Sequence, residues 1–92
     1  MTPEEKIVDL LADGVETLNE LKAALEEEGM DASRLTEILS DLTAQDFAEV
    51  TNLHGKNVQR EGDRILDFTG LTLALTAAGI KRWMLEDAAR NG

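Results

Sequence analysis

Apolar residues fall at helical spacing through the first half of the chain and switch to strand-like patterns in the second. Ile7, Leu10 and Leu11 form an i, i+3, i+4 stripe. Thr2-Pro3-Glu4-Glu5 precedes it and reads as a helix start. Thr2 can cap, Pro3 suits the first helical position, and Glu5 can complete a capping box. Asp13-Gly14 supplies a left-handed end, so the pattern predicts a helix over 3–13. Thr17-Leu18-Asn19-Glu20 is a second capping box, with Leu18, Leu21 and Leu25 on one face and Gly29 as the stop. That predicts a helix over 18–28. Asp31 can cap a third helix over 32–44, where Leu35, Ile38, Leu39 and Leu42 recur at i, i+3, i+4, i+7.

After Asp46 the period changes. Phe47 to Leu53 reads as a strand, and His54-Gly55-Lys56-Asn57 and Glu61-Gly62-Asp63 read as turns. Arg64 to Phe68 is apolar and strand-like. Leu71, Leu73 and Leu75 alternate with Thr72, Ala74 and Thr76, the mark of a strand with one face on the core. Thr76 then caps a last helix over 77–89, with Ile80, Trp83, Met84 and Ala88 on its apolar side. The whole is an α+β pattern without repeats or linkers, and its 92 residues make a single domain over 1–92.

Composition narrows the classes. A hydrophobic fraction of 42% suits a globular chain. The absence of cysteine excludes a disulfide scaffold and thiolate zinc sites, and fits a cytoplasmic protein. No run reaches the ~18 apolar residues of a membrane span. Met1-Thr2-Pro3-Glu4-Glu5 lacks the basic start of a signal peptide. The net charge of −10 is unevenly placed: residues 1–50 carry 14 acids and three bases, whereas residues 51–92 carry five acids and six bases. A strongly negative surface repels phosphate at long range and suits a basic partner or simple solubility.

The order of three helices, a hairpin and a closing helix resembles the winged helix-turn-helix family, including MarR-like regulators, over about residues 3–85. Thr17 to Leu25 looks like the first helix of the pair, and Ser33 to Leu42 looks like the recognition helix. Leu75-Thr76-Ala77-Ala78-Gly79 looks like the exit from the wing into the last helix. The resemblance implies a winged helix with a β-hairpin wing and a C-terminal helix, and a function in binding duplex DNA. Two features depart from it. The stretch from Glu26 to Ala32 makes the connection between the paired helices longer than a tight turn. The recognition face, with Ser33, Arg34, Thr36, Glu37, Ser40 and Asp41, holds two acids beside one base, whereas groove readers favour bases and amides.

DNA contacts are therefore expected from Ser33, Arg34, Thr36 and Ser40 on the third helix and from Lys56, Arg60 and Arg64 on or near the wing. The alternative is a winged helix that binds a basic protein, as a DNA mimic does, through Glu26, Glu27, Glu28, Glu37 and Asp41. Ile80, Trp83 and Met84 are the candidate homodimer interface, with a core position under the wing as the other expectation for Trp83. His54 is the only histidine and has no second ligand to share a metal with. The paired carboxylates fall on exposed helix positions with no nucleophile beside them. Isolated turn glycines make no phosphate loop. No enzyme, metal or cofactor is expected. A small transcriptional regulator is the leading reading.

Overall fold

Thr2, Thr17 and Asp31 each accept a hydrogen bond from the backbone N–H three residues on, at 3.2, 3.2 and 2.7 Å, and each begins a helix. In the computed structural model, which describes residues 2–53 and 57–91, α1 spans Pro3–Ala12, α2 Leu18–Glu26 and α3 Ala32–Ala44. The expected turn at His54, Gly55 and Lys56 lies outside the described residues. Helix α2 stops two residues short of the expected 28, because the N–H groups of Glu28 and Gly29 turn back onto Leu25 and Glu26 at 3.0 Å and Gly29 takes φ +73°. Glu27 is the C-cap and Glu28 lies just past it, so both carboxylates still stand at the negative end of the helix dipole.

Helix α3 ends in a Schellman motif. Phe47 N–H bonds to Leu42 O at 2.9 Å and Asp46 N–H to Thr43 O at 3.1 Å, with Asp46 at φ +63°. The chain is thereby turned straight into β2 (Ala48–Val50).

Strand β5 (Thr72–Leu75) is the centre of a three-stranded antiparallel sheet. It pairs with β2 on one side and with β1 (Glu16–Thr17) on the other. Leu73 stands opposite both Glu16 and Val50. The segment between β2 and β5 holds a separate hairpin of β3 (Arg60–Glu61) and β4 (Arg64–Ile65), turning at Gly62 with φ +63°. Asn52 closes the base of this wing. Its side chain donates to Gly70 O at 3.0 Å and accepts from Thr72 N–H at 2.8 Å.

The expected strands over 47–53 and 64–68 are thus realised only in part. Phe68 is fully buried although it lies outside any strand. Ile7, Val8 and Leu11 of α1, Leu35, Leu39 and Leu42 of α3, and Leu73 of β5 fill the core between helices and sheet. Helix α4 (Ala77–Asn91) then packs along α1.

Candidate nucleic-acid interface

Hairpin strand β4 lies directly on the C-terminal half of α3. Ser40 is buried, and its hydroxyl donates to the Ile65 carbonyl. One helical step on, Asp41 Oδ1 holds Arg64 Nη1 at 2.5 Å. The two contacts join helix and wing into one surface. They also remove Ser40 from the residues that could meet a ligand, contrary to its expected place on the groove-facing side. A polar residue on the outer edge of a helical stripe reads as exposed until another element covers it.

The N-terminal half of α3 stays open. Ser33, Arg34 and Glu37 are exposed and Thr36 is half-buried. Arg34 Nη1 lies 3.3 Å from Glu37 Oε1. Both arginines of this surface that carry a carboxylate partner, Arg34 and Arg64, are therefore already neutralised within the protein. Arg60 at the start of β3 is exposed and has no ion pair among the described residues. Lys56 lies outside the described residues.

The acids expected to bind a basic partner divide into two groups. Glu26, Glu27 and Glu28 are exposed around the end of α2 and make no ion pair among the described residues. Glu37 and Asp41 are each engaged by an arginine.

The expected dimer residues also separate. Trp83 is half-buried against the core, and its indole N–H donates to Asp9 Oδ1 of α1 at 3.0 Å. It packs beside α1, neither under the wing nor on the face that carries Ile80 and Met84, which are 47% and 59% exposed. Arg82 is held by Glu86 at 2.7 Å and Glu4 at 3.0 Å. Burial works against its charge, but the two carboxylates outweigh it and raise its pKa. Leu85, which is 65% exposed, is not among the expected interface residues: it lies about 100° around the helix from Met84, one turn beyond Lys81, off the Ile80–Met84 stripe.

Among the described residues no group of three or more His, Cys, Asp or Glu side chains could hold a metal ion. No helix among them is long and apolar enough to cross a membrane.

Two solved structures of a double mutant of Lactococcus lactis ZitR share this architecture. One, in apo form, superposes with a TM-score of 0.67 at 16% identity, over 97% of this chain and 57% of that one. The other gives 0.68 at 15% identity, over 99% and 53%. The fold is a winged helix-turn-helix. The chain spans little more than half the length of the ZitR chains it matches. No family model and no curated protein matches the sequence. An identity this low carries the fold and not membership of the MarR-like regulators.

Proposed function

We propose that this chain is a small DNA-binding transcriptional regulator that uses the open half of α3 and the wing as one surface. The observation that carries this reading is the docking of β4 on α3 through Ser40 and Ile65 and through Asp41 and Arg64. It joins the helix and the wing into one surface, which supports their acting together, as a winged helix does when it meets a groove and the flanking backbone. Ser33, Arg34 and Thr36 supply the helix contacts; Arg60, Arg64 and Lys56 supply the wing contacts. The cytoplasm is the compartment that this role implies.

Phosphates would act by exchange. The Arg34–Glu37 and Arg64–Asp41 pairs are roughly half exposed, and such pairs are worth only about 0.2–1 kcal/mol. A DNA phosphate can replace each carboxylate, at the cost of leaving an acid near the backbone. With about three phosphates engaged, log affinity falls against log salt with a slope of about −2.7, so one copy binds weakly.

A second reading is favoured by the same pairs. The surface is self-neutralised and Glu26, Glu27 and Glu28 stand free of ion pairs among the described residues, which suits a basic protein partner.

Fluorescence anisotropy with random-sequence duplex DNA at about 50 mM salt separates the two readings. The DNA reading expects micromolar binding that collapses by about 200 mM, weakens with Arg34→Ala, and strengthens several-fold when Glu37→Gln and Asp41→Asn remove the competing carboxylates. No binding by the natural chain or by the double variant at low salt overturns it. A pull-down with a basic partner that is lost when Glu26, Glu27 and Glu28 become Lys would then support the second.

A further inference from the structure

The open half of α3 points a carboxylate outward. Leu35, Ile38, Leu39 and Leu42 are buried, and the stripe on the opposite side of the helix runs through exposed Ser33 and Glu37. Arg34 flanks that stripe. One turn beyond, Ser40 lies under the wing and Asp41 is held by Arg64 at 2.5 Å. Glu37 is therefore the long side chain at the centre of the helix surface that the DNA reading sends toward the groove.

Its tie to the protein is loose. Arg34 Nη1 stands 3.3 Å from Glu37 Oε1, and the two side chains are 54% and 59% exposed. Such a pair contributes little in water. A phosphate that draws Arg34 away leaves the Glu37 carboxylate facing base edges without a cation beside it.

A carboxylate only accepts hydrogen bonds. In the major groove guanine presents the acceptors N7 and O6, and thymine presents O4 and a methyl group. Against either base Glu37 would lose water and gain no donor, a heavy penalty for a charged group. Adenine offers its N6 donor but sets the N7 acceptor beside it. Cytosine presents the N4 donor and no acceptor on its own edge, which is the base that Glu and Asp side chains suit. The hydroxyls of Ser33 and Thr36 both donate and accept, and so impose no such choice.

We propose that Glu37 sets the base preference of this surface by accepting a hydrogen bond from cytosine N4. The proposal rests on the DNA reading above and deepens it. Loss of the Arg34 pair is offset where a cytosine lies against Glu37 and is uncompensated elsewhere. Arg34, as a phosphate contact, adds affinity without adding preference.

Selection from a random-sequence duplex library at about 50 mM salt, followed by sequencing and by fluorescence anisotropy on the best duplex, tests it. The natural chain is expected to enrich a fixed C·G pair, and to bind that duplex at least about fivefold more tightly than one with T·A in its place. Glu37→Gln is expected to bind the unselected library more tightly, yet to discriminate less than about twofold between those two duplexes. Arg34→Ala is expected to weaken both duplexes by the same factor. Glu37 is exposed, and an unchanged far-UV circular dichroism spectrum verifies that the variant folds. Duplex binding without a cytosine preference overturns the inference and leaves the DNA reading standing. So does a cytosine preference that survives Glu37→Gln, or a gain from Glu37→Gln that is equal on every sequence, because the carboxylate then acts only as a repulsive charge. Absence of binding to any duplex by both the natural chain and Glu37→Gln removes the DNA reading, and this inference with it.

Discussion

A Cβ placed on Gly79 would stand 1.9 Å from the carbonyl oxygen of Phe47 and 2.9 Å from its carbonyl carbon. The first turn of α4 therefore lies flat against the residue that leads from α3 into β2. Thr76 secures the same junction: its N–H donates to Phe47 O at 3.1 Å, and its hydroxyl donates to Asp46 O and accepts from Gly79 N–H at 3.1 Å. Gly79 is required here for close approach.

Gly79→Ala tests that contact with a diagnostic sign. By helix propensity alone, alanine would stabilise α4 by about 0.8–1.0 kcal/mol. The clash with backbone atoms, which cannot swing aside as a side chain can, predicts a net loss of about 2 kcal/mol. Urea denaturation of the variant and the natural chain reads the difference. An unchanged or raised midpoint would mean that α4 does not approach Phe47 this closely.

Ser40 ties the wing to α3. Ser40→Ala leaves the Ile65 carbonyl without this buried donor, and a loss of about 1–3 kcal/mol is expected. Hydrogen exchange should show the cost falling first on β3 and β4, which the half-exposed Arg64–Asp41 pair and the packing of buried Ile65 still hold to α3. Stability within about 0.5 kcal/mol of the natural chain would place the hydroxyl in solvent rather than under the hairpin.

Glu16 gives the pH dependence. A hydrogen bond with Glu20 comes first, then burial, then repulsion from Glu20 and Asp13, and together they raise its carboxyl above the usual value. A raised native pKa means that the folded state holds the proton more tightly than the unfolded state. That contribution is full in acid and is lost as pH rises through the native pKa. Glu16→Gln keeps a neutral hydrogen-bonding group at all pH. Its melting temperature should match that of the natural chain near about pH 3 and exceed it near about pH 7 at low salt. The site is largely solvated, so added salt should shrink the gap. A gap that grows toward acid would reverse the assignment.

The helices were legible because their signals are local. A capping side chain three residues ahead of its N–H partner and a 3.6-residue apolar period lie within a few residues of each other. Thr2, Thr17 and Asp31 cap as their neighbours dictate, and α3 runs over Ala32–Ala44 as its leucine and isoleucine spacing predicts. Strand β5 was legible for the same reason, with Leu73 and Leu75 facing the core and Thr72 and Ala74 half-buried. The candidate recognition residues Ser33, Arg34 and Thr36 follow from their place early in α3.

Tertiary contact decided the rest. Strand β1 is two residues long, and only its pairing with Thr72 and Leu73 makes it a strand. The helical pattern puts polar Ser40 on the exposed side; a hairpin 25 residues away in sequence covers it. Arg64 looked like a free wing cation until the fold set Asp41 against it. The apolar and charged residues of α4 were visible in the sequence, but periodicity assigns two faces to a helix without saying which one turns inward. Trp83 packs on the core and bonds Asp9, Gly79 lies against Phe47, and the arginines of α4 meet Glu4, Glu5 and Asp9 on α1; together these contacts leave Ile80, Met84 and Leu85 outward. Residues close in sequence set where each element begins and ends, and partners distant in sequence set which side of each element meets water.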